Sequence, residues 1–287
     1  MATTKIIRAA VLGASGYTGA DMIRLAALHP AIRITALIAK GHAGQTLAQV
    51  FPHLASLPLP ALVSSEEADW DAVDVVFCGL PHGTAHGEIG KLPKRVKVID
   101  MSADFRLHDA GAYAEWYGNE HSAPALLKDA VYGLTEHYRD KIATARLVAC
   151  PGCYPTAVLL ALLPLVKAKL IDTSDLIIDA KSGVSGAGRS LKQNILFSEA
   201  GEGLSPYGIG NHRHLPEIEQ PSTMTIVRHL DGAIHFWGAV EDDHCRLRWM
   251  RNEEDRGLGD LQRVWPAASD GDRCCVLSRP HRPLLLP

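Results

Sequence analysis

A short apolar run of strand type, Lys5 to Leu12 (KIIRAAVL), leads directly into Gly13-Ala14-Ser15-Gly16-Tyr17-Thr18-Gly19, and an amphipathic stretch, Ala20 to Leu28, follows. Strand, glycine turn and helix in that order are the setting a dinucleotide-binding fingerprint needs. Glycines let the backbone approach a pyrophosphate, whose charge then sits at a helix N-terminus. The spacing is G-x-x-G-x-x-G, not the commoner G-x-G-x-x-G, so position and context carry the reading against an ordinary glycine turn. Gly13, Ser15, Gly16, Tyr17, Thr18 and Gly19 are therefore the cofactor-binding candidates.

The following segments repeat the alternation. Ile32 to Ile38 (IRITALI) reads as a second strand, and it runs into Ala39-Lys40-Gly41-His42 with no carboxylate. An acidic residue about 20 positions beyond the glycines reads the ribose 2′-hydroxyl of NAD, whereas a lysine suits a 2′-phosphate. Lys40 therefore points to NADP. Val73 to Leu80 is another buried strand type, and the loop Pro81 to Gly87 lies at its C-terminal end, where open α/β sheets place their ligands. Gly79 and Pro81 join the cofactor candidates, and Cys78 reads as core. His82 and His86 have the i, i+4 spacing of a helical zinc pair, but Gly83 and Gly87 suggest a loop and no Glu follows the first His, so no metal is expected. Val96 to Asp100 is the next strand. It ends in Met101-Ser102-Ala103-Asp104-Phe105-Arg106, and Arg106 either grips a substrate carboxylate or phosphate as a planar fork or makes a structural ion pair. Alternation up to Ala149 predicts a doubly wound parallel sheet over residues 1–149, with a second domain from Cys150 to Pro287.

Cysteine chemistry belongs to the second domain. Val148 to Thr156 (VACPGCYPT) precedes a long apolar stretch, and Pro151, Gly152 and Pro155 predict strand, tight turn and a helix from about Thr156, with Cys153 on the turn. Helix N–H groups and dipole there favour thiolate, the nucleophilic form; the alternative is a small buried core residue. Leu176 to Ala180 (LIIDA) reads as a strand leading into Lys181 to Arg189 (KSGVSGAGR), where Ser182, Gly183, Ser185 and Arg189 make an anion cradle or else a linker. In Tyr207 to Gln220, His212, Arg213 and His214 fall just before a Pro216-Glu217 helix start. Either histidine could act as acid or base near neutral pH.

Composition removes several classes of function. The 287 residues carry a net charge of −3 without a basic stripe, so nucleic acid and anionic membrane are poor partners and a small molecule is favoured. No apolar run reaches about 18 residues and the start, MATTKIIR, lacks a signal-peptide pattern, which makes cytoplasm the expected compartment. Six cysteines in a chain of this length suit reduced thiols better than a disulfide framework.

Together these residues resemble the N-acetyl-gamma-glutamyl-phosphate reductase family, relatives of aspartate-semialdehyde dehydrogenase. The resemblance runs from about residue 5 to about 222. Its specific parts are Val148 to Ala157 with Ala161, Leu162 and Pro164, and His212 to Ile218 (HRHLPEI). Gly13 to Gly19, Ser102 to Arg106 and Ser182 to Arg189 are similar to the family's other motifs. It implies a Rossmann-like NADP-binding domain and an α+β catalytic and dimerisation domain of the semialdehyde dehydrogenase type, in a homo-oligomer. It also implies Cys153 as nucleophile, His214 or His212 as acid–base with His214 favoured, and substrate contacts from Arg106, Ser182, Gly183, Ser185, Arg189 and Glu217. The implied reaction is NADPH-dependent reduction of an acyl phosphate to a semialdehyde through a thioester, in arginine biosynthesis. Aspartyl or carrier-linked amino-adipyl phosphates are alternative substrates.

Beyond about Phe236 the resemblance stops. Residues 237 to 287 hold eight of the eighteen arginines, none of the eleven lysines and three of the six cysteines. Neither period 2 nor period 3.6 is sustained, which suggests an altered or out-of-frame ending, or else a divergent terminus, with adjacent Cys274 and Cys275 a liability. Two further readings compete. Cys150-Pro151-Gly152-Cys153 has the C-x-x-C spacing of a thiol–disulfide protein, although no thioredoxin-like pattern surrounds it. A non-catalytic NADP-binding homologue is the other.

Overall fold

The computed structural model describes residues 5–173, 176, 178–201, 203–208, 211–222, 235–239 and 246–248, with the side chains of 221–222, 235–239 and 246–248 excepted. Most of the atypical ending, 240–245 and 249–287, lies outside the described residues. The chain divides into two compact units, Met1–Gly152 and Cys153–Pro287.

In the first unit the elements follow one another as β1 (Ile7–Leu12), α1 (Tyr17–Ala27), β2 (Ile32–Ile38), α2 (Leu47–Val50), β3 (Leu62–Val63), β4 (Val75–Cys78), α3 (Ala85–Lys91), β5 (Lys97–Asp100), α4 (Ala110–Tyr117), α5 (Pro124–Asp129), β6 (Val131–Tyr132), α6 (Thr135–Thr144) and β7 (Leu147–Ala149). The seven strands form one sheet in the order β3-β2-β1-β4-β5-β7-β6, and every recorded pairing is parallel. A doubly wound α/β sheet is thus the architecture of this unit. Its strands are apolar on both faces because helices cover both sides. Along β1, Ala10 and Leu12 enter one core cluster while Val11 enters the other, and all three are at most 1% exposed. Arg8 fastens the start of β1 to the approach of β4, donating Nε and Nη2 to the two carboxylate oxygens of Asp74 at 3.1 and 2.8 Å.

Helix starts come earlier than the sequence predicts. α1 begins at Tyr17, not Ala20, because Gly16 has the extended backbone of an N-cap and the first-turn N–H groups need no partner within the helix. His86 and Gly87 belong to α3, contrary to the expectation of a loop, whereas His82 and Gly83 precede it.

In the second unit come α7 (Cys153–Lys167), β8 (Asp179–Gly183), α8 (Phe197–Ala200), β9 (Leu204–Tyr207), α9 (Leu215–Ser222), β10 (His235–Ala239) and β11 (Arg246–Arg248). The four strands form a mixed sheet, β11-β8-β10-β9, in which only β8 and β10 run parallel. Helices beside a largely antiparallel sheet make this an α+β unit. α7 starts at Cys153, three residues before the expected Thr156. Pro155 is no obstacle, since its missing N–H falls in the first turn, where no intrahelical bond is made. β8 is displaced from the expected Leu176–Ala180 toward Ser182 and Gly183, because pairing with β10 continues through those small polar residues. α7 packs against α9, which begins at the Leu215-Pro216-Glu217 sequence as its Pro-Glu start predicts.

Candidate active site

The first unit brings its cofactor candidates together. The strand order turns between β1 and β4, and the crevice beyond the carboxyl ends of those strands is where a doubly wound sheet binds its ligand. Gly13 follows β1 with a φ of +81°, and a Cβ there would stand 2.7 Å from the Gly79 carbonyl oxygen beyond β4. A Cβ on Gly19 would run into the Gly13 carbonyl oxygen, and one on Gly79 would meet Thr18 Cβ at 3.7 Å. Gly13 and Gly19 are therefore required by close backbone approach, whereas a Cβ on Gly79 would make only ordinary contacts. The Gly16 N–H donates to Gly13 O at 3.0 Å, which closes the turn and points the N-terminus of α1 into the crevice. The N-cap residue of that helix, Gly16, makes no side-chain capping bond, and a helix N-terminus of this kind suits an anion. Ser15, Tyr17 and Thr18 lie in the same turn and first helical turn, and Pro81 follows Gly79 by two residues. Lys40 opens a 3-10 turn after β2, exposed, at the place where an adenosine ribose would be read.

The Ser102 to Arg106 segment is an interior fastening. Asp100 accepts the Ser102 N–H at 3.0 Å and the Ser102 hydroxyl at 2.8 Å, and the same hydroxyl accepts the Asp104 N–H at 3.1 Å. Burial raises the Asp100 carboxyl to about 6, against the opposing pull of the two Ser102 bonds. Arg106 is only 8% exposed; its Nε donates to the Cys150 carbonyl at 2.9 Å and its Nη2 to the Met101 carbonyl at 3.1 Å. Weighed as a substrate fork or a structural ion pair, it turns inward and spends donors on the backbone just upstream of Cys153 in the chain. Cys150 belongs to this interior too, with its N–H on the Asp100 carbonyl at 2.7 Å. Burial and then the Asp100 charge push its thiol up to about 11, the opposite of what an attacking thiol in a C-x-x-C pair requires.

In the second unit Cys153 is the first residue of α7 and is exposed, which answers the buried-core alternative. The next residue, Tyr154, is 1% exposed and anchors an aromatic group. Its ring lies 5.6 Å from that of His212 and 5.9 Å from that of His214, both edge-on, and the two imidazoles are 4.9 Å apart. The Tyr207 hydroxyl at the end of β9 donates to the Tyr154 hydroxyl at 2.9 Å, and its ring stands 5.4 Å from His212. Gly208 follows with a φ of +62°, and a Cβ there would meet His212 Cδ2 at 2.8 Å. His212 Nδ1 accepts the His214 backbone N–H at 3.2 Å, which places the proton of the neutral ring on Nε2. Burial, then the charge of Arg213, lowers His212 from the ordinary 6.5 to about 4.

Other candidates divide. Ser182 and Gly183 end β8, Ser185 lies in the 3-10 turn Val184–Ala187, and Arg189 is exposed after Gly188, whose φ is +76°. Through β10 the sheet register sets Tyr207 level with Ala180, so Ser182 lies roughly 7 Å further along the sheet. Glu217, expected at the substrate, is fully buried in the first turn of α9 and has no surface to offer a ligand in this state. Tyr154, Tyr207 and Asp104 are the residues sequence reasoning passed over. Tyr154 sits inside the cysteine motif and Asp104 inside the Ser102 to Arg106 motif, so position was the available signal.

Comparison with known proteins accords with this geometry. A family profile described as "Semialdehyde dehydrogenase, NAD binding domain" matches residues 8–145, and one described as "Semialdehyde dehydrogenase, dimerisation domain" matches residues 153–238. A rice protein named probable N-acetyl-gamma-glutamyl-phosphate reductase, chloroplastic, is 58% identical over 214 residues, which is 75% of this chain and 52% of that protein. The chain thus spans about half the length of that relative. An N-acetyl-gamma-glutamyl-phosphate reductase of Rhodobacter capsulatus is 46% identical over 254 residues, covering 83% of this chain and 74% of that protein. Among solved structures, aspartate semialdehyde dehydrogenase with NADP from Candida albicans superposes with a TM-score of 0.59 over 90% of this chain and 75% of that one, at 17% identity, which speaks for the fold alone. With nearly half of its aligned residues shared over three quarters of the Rhodobacter protein, this chain belongs to the N-acetyl-gamma-glutamyl-phosphate reductase family of semialdehyde dehydrogenases.

Proposed function

We propose that this chain reduces N-acetyl-gamma-glutamyl phosphate to N-acetylglutamate semialdehyde, releasing phosphate, in arginine biosynthesis. The observation that carries the reading is the exposed Cys153 at the first position of a 15-residue helix, in a segment that resembles the family's cysteine signature. At that position the helix dipole favours an anionic sulfur. Cys153 attacks the acyl carbon, the carbon–oxygen bond to phosphate breaks, and a thioester remains. The glycine turn Gly13 to Gly19 fits a dinucleotide, because Gly13 and Gly19 have no room for a Cβ against the neighbouring backbone and keep the turn at the head of α1 tight and bare. When bound, that cofactor supplies the hydride that reduces the thioester carbonyl. Lys40 and the absence of a carboxylate after β2 favour NADP over NAD.

As the carbon–sulfur bond breaks, the sulfur leaves with its electron pair and takes a proton. His214 is the proposed donor, because His212 is held neutral and serves it as a fixed neighbour. Ser182, Gly183, Ser185 and Arg189 hold the phosphate or carboxylate of the substrate with backbone N–H groups, hydroxyls and one guanidinium. Arg106 acts through the backbone that it supports at Met101 and Cys150.

A homo-oligomer is proposed on the profile description of residues 153–238 and on β9, an edge strand with Leu204 49% and Tyr207 45% exposed. No helix among the described residues is long and apolar enough to cross a membrane. Cytoplasm is the compartment proposed, since Cys78, Cys150 and Cys153 carry thiols, not disulfides. The deciding experiment is phosphate-dependent NADP reduction with N-acetylglutamate semialdehyde against aspartate semialdehyde. A preference for the aspartyl substrate, or turnover that survives in Cys153→Ser, would sink the proposal.

A further inference from the structure

We infer that Asp104 is a positioning residue for the dinucleotide crevice, a role that rests on the cofactor reading above and goes beyond it. Asp104 is completely buried, yet both its oxygens are occupied by donors from elsewhere in the first unit. Oδ1 accepts the Gly83 N–H and the Tyr113 hydroxyl, each at 2.8 Å, and Oδ2 accepts the His86 N–H at 3.1 Å. A buried carboxylate is expensive unless its lone pairs are satisfied, and here two of the three donors are main-chain amides, Gly83 in the loop after β4 and His86 in the first turn of α3. The loop from Gly79 to Thr84 joins β4 to α3, whose first turn holds His86. It turns tightly, with the Thr84 hydroxyl on the Pro81 carbonyl at 2.7 Å and Gly83 at a φ of +78°. Gly79, at its upstream end, is the residue whose carbonyl forms the wall against Gly13.

Asp104 is held in its turn. Its N–H reaches the Ser102 hydroxyl, and its carbonyl accepts from His121 Nε2 at 2.9 Å, a tautomer fixed by the Ala123 N–H on His121 Nδ1 at 3.1 Å. The side chain therefore ties the segment after β5 to the loop after β4, which borders the crevice proposed for the cofactor. Loosening that tie widens the crevice without touching any group that contacts substrate, so it weakens cofactor binding and spares the chemical step.

Asp104→Asn in the full chain tests this, because the amide group turns a donor toward at least one of the three donors it faces. The expected result is a Kd for NADPH, by fluorescence titration, raised about tenfold. Turnover at saturating NADPH stays within about twofold of wild type, and the Gly83 and His86 amides exchange with solvent at least about tenfold faster. Tyr113→Phe removes one donor and leaves both main-chain amides bonded, so its Kd stays within about twofold. Gly83→Ala strains the same turn at positive φ without entering the core and raises the Kd like Asp104→Asn, which keeps the test open if the latter fails to fold. An unchanged Kd in Asp104→Asn or Gly83→Ala overturns the inference, and so does a Tyr113→Phe effect as large as that of Asp104→Asn. Failure of the wild-type chain to bind either NADPH or NADH overturns the cofactor reading itself, and the inference with it, before any variant is measured.

Discussion

Two helices in this protein begin in the same way and are fitted for opposite tasks. α1 follows β1 across Gly13 to Gly16, and α7 follows the three residues Cys150 to Gly152 after β7. At the first, every side chain that would intrude is absent: a Cβ on Gly13 would stand 2.7 Å from the Gly79 oxygen. At the second, the first helical residue carries an exposed thiol. Helix termini of this kind supply N–H groups and a partial positive charge whatever the residues are. What differs is whether the sequence keeps side chains away, as the proposed binding of an anion asks, or places a thiol there, as the proposed capture of an acyl group asks.

The largest effect should come from taking the thiol away. Cys153→Ala lowers acyl-phosphate reduction by about 10⁴-fold or more while the Kd for NADPH changes less than about twofold. A large change in that Kd would mean the two termini do not have separate tasks. Putting a side chain where the first helix excludes one is next. Gly13→Ala meets both the Gly79 oxygen and a positive φ, and is expected to cost about 2–4 kcal/mol in urea unfolding and to weaken NADPH binding.

The histidine beside Tyr154 gives a pH test. His212 is lowered from 6.5 to about 4 by burial, so its neutral form is the one the fold favours. It contributes stability above about pH 6.5, and that contribution is lost as pH falls from there through about 4. The loss, on the order of 2–3 kcal/mol, should flatten in His212→Asn, and the ring's NMR titration should have its midpoint near 4. A midpoint near 6.5 would return His212 to contention as the acid. Lys40→Ala should shift the ratio of NADP to NAD affinity by roughly tenfold, about 1.4 kcal/mol. Tyr207→Phe, which removes one hydrogen bond at 2.9 Å, should cost about 1 kcal/mol of stability and leave NADPH binding as it was.

Unequal amounts of this were legible in the sequence. The glycine turn was readable because its cause is local: strand, glycines and helix are consecutive, and the residue that Gly13 meets lies just beyond another apolar run. Cys153 was readable for the same reason, though its helix start was misplaced by three residues because Pro155 reads as a breaker until its position in the first turn is known. For Arg106 and Glu217 the sequence showed only a charged residue in a motif, and nothing in it tells that the Arg106 Nε meets the Cys150 carbonyl or that Glu217 is buried. Asp104 was overlooked on similar grounds. Its three donors lie 21, 18 and 9 residues away along the chain, beyond any periodicity.

The strand order of the first unit has a consequence for how the chain is made. β7 is inserted between β5 and β6, although β6 emerges from synthesis before it. β6 has β7 as its recorded partner, so a growing chain that ends before Leu147 leaves β6 without a place in the sheet and β5 with an open edge. Such a nascent chain exposes the row of N–H and C=O groups that invites pairing with another molecule. Three residues, Leu147 to Ala149, close that gap, and the next four bring out Cys153. The thiol is therefore translated only after the last strand needed to seal the nucleotide unit.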